Sequence, residues 1–266
     1  MRETKSKSAI RGDARTMRNI IRISCVSLLA LLCSFPALAQ DSRLSAVEIL
    51  NKVDDVANAP KDQSYTSKIV LIDRLGGEKI QELIILQKGR DKRLAKVLSP
   101  ADQKGIAFLT LPDGVQYLYL PAFAKAQRID SALKDMSFTG TDFTYEDMEA
   151  GRQSDKWDPT VVKRDQDTIV LEMKPKPGKT SGYSKLVMWV SSANYVPTRV
   201  EHFDKNGKLC KVLTREKIQL VGGYWVAMET TMEDLKKQHK TKMIISDMRF
   251  DTNIPDSRFT EPAMGK

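Results

Sequence analysis

A succession of ten or eleven β-patterned runs, joined by short turns and never by a helix-length crossover, constrains this chain more than any other feature of its sequence. The runs fall at residues 65–74, 78–87, 92–98, 106–111, 115–120, 168–173, 185–190, 198–203, 209–221, 224–231 and 242–250. Gly76-Gly77, Pro112-Asp113-Gly114, Asn206-Gly207 and Gly222-Gly223 stand where the chain must reverse, because glycine and asparagine accept the backbone angles that tight turns demand. Parallel strands need a crossover of a dozen or more residues, so hairpins in series require an antiparallel sheet. Left flat, so many strands would expose long edges; curling into a barrel or half-barrel is expected.

Ahead of the strands lies an export signal. Arg11, Arg15, Arg18 and Arg22 lead into the uncharged, mostly apolar run 23–33, which ends at Phe35-Pro36-Ala37-Leu38-Ala39. A basic head, a short apolar stretch and an A-x-A site predict a secretory signal peptide over residues 1–39, cleaved after Ala39. That leaves 40–266 as a single periplasmic domain. Cys33 follows Leu31-Leu32 and Cys25 comes too early, so neither reads as a lipidation site. The full chain carries a formal net charge of +9. Residues 1–39 hold seven basic and two acidic residues, so the mature chain has 36 against 32, a net of +4. Nucleic-acid binding thereby loses its electrostatic support. Cys210 alone remains after cleavage and has no partner for an internal disulfide.

One helix is predicted. Ser45-Ala46-Val47-Glu48 is a capping box, and Ala46, Ile49, Leu50, Val53, Val56 and Ala57 form an apolar stripe behind it. A second interruption runs from Ser131 to Trp157 and reads as loop with one or two short helices, Thr144 and Asp147 forming a cap. It carries Phe138, Phe143 and Tyr145, an aromatic density that suggests a lid over the sheet, formed by residues 131–150.

Catalytic patterns are weak. His202 and His239 lack partners at metal-ligand spacing, and Cys210 lacks a C-x-x-C mate, so no metal or other cofactor is implied. Asp142, Glu146, Asp147 and Glu149 could do acid–base work, but they read better as caps and the wet faces of short helices. The chain is therefore read as non-enzymatic. The candidate ligand-binding residues are apolar: Phe108, Tyr117, Tyr119, Phe138, Phe143, Trp189 and Trp225, with Met188 and Met228 beside them. Strand alternation puts Tyr117 and Tyr119 on one face and sets Met188 and Trp189 on opposite faces. Which face is inward stays open.

Three motifs then carry a resemblance. Lys104-Gly105-Ile106-Ala107-Phe108-Leu109 is followed by Leu118-Tyr119-Leu120-Pro121 and Gln127-Arg128-Ile129. Met136-Ser137-Phe138-Thr139-Gly140-Thr141-Asp142-Phe143-Thr144-Tyr145-Glu146-Asp147 is the most specific segment, and Met188-Trp189-Val190 with Tyr195-Val196-Pro197-Thr198-Arg199-Val200-Glu201 closes the set. Over roughly residues 44–260 the chain resembles the outer-membrane lipoprotein-sorting (LolA-like) carrier family. That resemblance implies a mainly β fold, a strongly curved antiparallel sheet forming an unclosed half-barrel with a few helices packed over its concave face. It implies a monomeric carrier that buries the acyl chains of a lipid or lipoprotein, working with an inner-membrane transporter or outer-membrane acceptor. A sensor or interaction module with a small cavity and an envelope protein as partner is the alternative.

Overall fold

The computed structural model describes residues 44–130 and 133–266. The expected signal peptide at 1–39 lies outside the described residues. Helix α1 (Ala46–Ala57) starts at the expected capping box: Glu48 N–H donates to Ser45 Oγ at 3.3 Å and Ser45 N–H to Glu48 Oε2 at 2.8 Å. Its apolar stripe buries Ile49, Leu50 and Val53 against the sheet.

Thirteen strands follow: β1 (Asp62–Ile72), β2 (Glu78–Lys88), β3 (Lys92–Ser99), β4 (Ala107–Leu111), β5 (Val115–Leu120), β6 (Lys125–Arg128), β7 (Trp157–Arg164), β8 (Thr168–Pro175), β9 (Lys185–Ser191), β10 (Pro197–Phe203), β11 (Leu209–Val221), β12 (Tyr224–Asp234) and β13 (His239–Phe250). All belong to one antiparallel sheet ordered β6-β5-β4-β3-β2-β1-β13-β12-β11-β10-β9-β8-β7. Two meanders, β1–β6 and β7–β13, meet where β1 pairs with β13. β6 and β7 are the free edges, so the half-barrel is unclosed.

The two edge strands were not among the sequence-predicted runs. β6 reads Lys-Ala-Gln-Arg, and β7 carries Pro159 with Asp158, Lys163 and Arg164. Charge and proline are what edge strands use against unwanted pairing, and they erase the apolar alternation by which a strand is recognised. Elsewhere the turns are as expected. At the β11–β12 hairpin both Gly222 (φ 57°) and Gly223 (φ 89°) take the left-handed region that a tight two-residue turn requires.

We call the face covered by α1 the inner face. Residues 133–156, which lie between edge strands β6 and β7 in the chain, cross it as a strap ending in the one-turn helix α2 (Gln153–Lys156). The predicted cap is present, with Asp147 N–H on Thr144 Oγ1 (3.2 Å) and Thr144 N–H on Asp147 Oδ2 (2.8 Å), but it closes a turn rather than a helix. Two clusters fill the inner face. One joins α1 to Trp157, Leu171, Met188, Leu213 and Met232; the other joins Ile69, Ile85, Val97 and Phe108 to Phe138 and Tyr145 of the strap. A third lies on the outer face, where Leu94, Leu109, Tyr117 and Tyr119 are covered by the C-terminal tail through Ile254, Phe259 and Met264 of helix α3 (Glu261–Met264).

Candidate functional site

Between the inner face, α1 and the strap the structure leaves a cavity of about 1130 Å³, just above the usual size range of small-molecule sites. Its apolar wall comes from Val53 and Val56 of α1, Leu186 and Met188 of β9, Leu213 of β11 and Met232 of β12. Toward the other meander Tyr65, Ile245, Met248 and Phe250 continue it. A bulge at Asp247 (φ 51°) makes this possible: it interrupts the β1–β13 register and switches alternation, so Met248 and Phe250 reach the side Ile245 reaches.

The sheet is also slit at this point. The β12–β13 ladder spans only Glu229–Asp234 against His239–Ile244. Beyond it β12 pairs with β11 alone and β13 with β1 alone. Tyr224–Ala227 line the cavity on one side of the gap and Ile245, Met248 and Phe250 on the other. The far end is closed by the Tyr224 and Phe250 rings, 4.8 Å apart between centroids.

The strap is tied down along its length. Gln81 Nε2 donates to the Thr139 carbonyl (3.1 Å) and Gln116 Nε2 to that of Tyr145 (3.0 Å). Asp142, 1 % exposed, holds Thr241 of β13 twice: its N–H donates to Thr241 Oγ1 (2.8 Å), and that hydroxyl donates to Asp142 Oδ2 (2.7 Å). His239 Nδ1 lies 2.7 Å from the same carboxylate oxygen. Asp147 accepts from the Tyr183 hydroxyl (2.9 Å) and pairs with Lys211 Nζ (3.1 Å), which also donates to the Asp142 carbonyl (2.7 Å). Glu146 takes Gly182 N–H (2.6 Å), the Ser181 hydroxyl and Lys156 Nζ (2.7 Å).

These contacts reverse one expectation. Asp142, Glu146 and Asp147 are not on a wet face; they are buried, Asp142 bonded to β13, Asp147 to β11 and Glu146 to the loop before β9 and to α2. Burial alone would raise the Asp147 carboxyl, but the Lys211 ammonium, His202 and the Thr144 donors outweigh it and hold it below the usual carboxylate range. Burial pushes the Tyr183 phenol up, helped by Asp147. Burial also lowers His202, whose Nε2 is 4.0 Å from Asp147 and whose Nδ1 has no partner among the described residues.

The candidate ligand-binding aromatics scatter. Phe108 and Phe138 come together with Tyr145, centroids 5.4–6.1 Å apart, as the packed joint between strap and sheet. Phe143 lines the cavity and packs on the α1 cluster. Trp225, 42 % exposed, is at the rim, cross-strand from Leu220. Tyr117 and Tyr119 face away: they pair with Leu109 and Ala107 and lie under the C-terminal tail. Trp189 also faces away, because its neighbour Met188 takes the inner face; the Arg199 guanidinium lies 5.5 Å from its ring. Lys211, Tyr183 and Arg215 were missed, and His202 was weighed only as a metal ligand. Tyr183 lies in the loop before β9, and the strands of the other three carry apolar residues at both parities, as in Cys210-Lys211-Val212-Leu213, so no local pattern marks the inward side.

A family model described only as an uncharacterized protein matches residues 89–266. A structure of an outer membrane lipoprotein-sorting protein domain from Vibrio parahaemolyticus is similar at 30 % identity and TM-score 0.75, covering 83 % of this chain and 98 % of that one. A DUF1329 family protein from Desulfovibrio piger superposes with TM-score 0.78 at 24 % identity, covering 82 % and 97 %. A LolA superfamily protein from Nitrosomonas europaea superposes with TM-score 0.70 at 21 % identity, covering 83 % and 99 %. No curated protein matches the sequence.

Proposed function

The chain belongs to the LolA-like family of outer membrane lipoprotein-sorting proteins, and from that membership we propose that it is a periplasmic carrier of acyl chains, acting without covalent chemistry. The observation that carries this reading is the cavity: about 1130 Å³ stays unfilled after the side chains of α1, the sheet and the strap have packed. Each methylene moved from water onto an apolar wall contributes about 0.8 kcal/mol, so ten contribute roughly 8 kcal/mol before the cost of association. Met188, Met232 and Met248 suit variable chains, because an unbranched thioether adapts its shape at little cost. The ligand would be a lipid or the acylated end of a lipoprotein, passed on by an inner-membrane transporter or to an outer-membrane acceptor.

Residues 131–150 act in this reading as a lid, released when the ties to Asp142, Glu146 and Asp147 give way. Native mass spectrometry with lipid extraction, on mature protein taken from the periplasm without detergent, tests the carrier. It should show an acylated species near one per chain. A protein that is empty and also blind to fluorescent fatty-acyl probes is an interaction module instead. A disulfide engineered between strap and sheet should stop probe exchange; exchange at the wild-type rate would sink the lid.

A further inference from the structure

Of the cations that line the cavity, Lys134, Arg152 and Lys156 are paired with carboxylates, and Arg90 and Lys179 are exposed to solvent. Arg152 Nη1 is 2.8 Å from Asp55, Lys156 Nζ 2.7 Å from Glu146, Lys134 Nζ 2.5 Å from Glu149 and Lys211 Nζ 3.1 Å from Asp147. Arg215 is different. Among the described residues no carboxylate comes within 4.0 Å of it; its one hydrogen bond runs from Nη1 to the Pro197 carbonyl at 3.3 Å. It lines the cavity beside Val196, Val200, Leu213 and Met232. In register it faces Thr230, one residue from Glu229, where the β12–β13 ladder gives way to the slit. Burial alone pulls its guanidinium down to about 10.

A charge held against apolar side chains without a counter-charge is costly, and a guanidinium with most of its donors unused is a fork shaped for two oxygens of one anion. We propose that Arg215 anchors an anionic group, phosphate or carboxylate, of an amphiphile whose chains lie on the apolar wall. This deepens the carrier reading and rests on it: the ligand class becomes a single-charged-head lipid held head-first at the base of the slit. Arg93 also lines the cavity without a carboxylate, but its Nε and Nη2 both rest on Gln87 Oε1, so its fork is spoken for.

The test is competition against a fluorescent fatty-acyl probe on the mature protein, with four competitors: hexadecyl phosphate, palmitate, hexadecanol and inorganic phosphate. A charge-assisted bidentate pair corresponds to about ten- to a hundredfold in affinity. Hexadecyl phosphate or palmitate should exceed hexadecanol by that factor, and whichever does so names the head group. Arg215→Met should erase the difference, Arg215→Lys should keep part of it, and Arg199→Met, against Trp189 on the outer face, should leave it intact. Circular dichroism confirms that each variant is folded. Equal binding of alcohol and anions by wild type, or a preference that survives Arg215→Met, overturns the anchor and leaves the carrier standing. Inorganic phosphate competing as well as hexadecyl phosphate overturns the amphiphile. Failure of every chain-bearing probe overturns the carrier reading and the anchor together.

Discussion

Replacing Asp147 by alanine cuts the strap at its most heavily bonded point. The wild-type carboxylate is 6 % exposed and the Lys211 side chain 10 %, so solvent screens the pair little. The variant strands the Lys211 ammonium with only the Asp142 carbonyl, and leaves the Tyr183 hydroxyl and Thr144 N–H without their acceptor. Removing one partner of a buried pair costs about 3–5 kcal/mol. The cavity beside Asp147 admits water to the orphaned donors, which places the expected loss near the lower bound, about 3 kcal/mol. Urea unfolding at pH 7 measures it as a shift in midpoint at unchanged slope. The decisive arm is Lys211→Met combined with Asp147→Ala. Once no charge is left unpaired, the double variant should be less destabilised than the sum of the singles by about 1.5 kcal/mol or more. Additivity within about 0.5 kcal/mol would refute the claim that this pair ties the strap to β11.

Three further outcomes are expected. Because His202 is lowered by burial, the unfolded chain takes up a proton that the fold refuses, so stability falls as pH drops below about 6.5, by up to about 1.4 kcal/mol per unit. His202→Gln should flatten the profile in that range, and an unaltered slope between pH 6.5 and 5 would exclude His202 as its source. Trp225→Ala at the rim should weaken fluorescent acyl-probe binding severalfold, whereas Trp189→Phe, on the outer face, should leave the binding isotherm unchanged. Phe259→Ala, which empties a fully packed position over Leu109 and Tyr117, should cost about 3–5 kcal/mol in thermal or urea unfolding with probe affinity intact.

Local chemistry made most of the sheet legible. The Ser45 and Glu48 box announced α1, and Asn206-Gly207 and Gly222-Gly223 announced hairpins, because each signal acts within four or five residues of itself. The strap's ties were not legible for the opposite reason. Asp142 to Thr241 and Asp147 to Lys211 join residues far apart in the chain, and nothing near Asp147 reveals that a lysine will arrive from β11. Facing was hidden too. Tyr117 and Tyr119 shared a parity as expected, but the outer face of β4 and β5 is also apolar, roofed by Phe259 and Met264, so hydrophobicity did not distinguish inside from outside. The positive φ at Asp247 shows how one residue defeats alternation altogether.

The pairing of β1 with β13 has a kinetic meaning. Every other neighbouring pair of strands in the sheet is consecutive in sequence and can form as a hairpin soon after collapse. The seam must bring residues 63–72 onto residues 240–250, and until it closes the halves are separate meanders with one apolar edge each. Loop-closure entropy therefore concentrates in this one event. Its far end is marked by Asp62, whose carbonyl takes Asp251 N–H at 2.9 Å and whose carboxylate takes Thr252 N–H at 2.8 Å, so the end of β13 lies against the start of β1. A chain reordered to begin at β7 and run directly from β13 into β1 would turn the slowest contact into another local hairpin. The natural order instead makes the two halves of the cavity wall the last parts of the molecule to find each other.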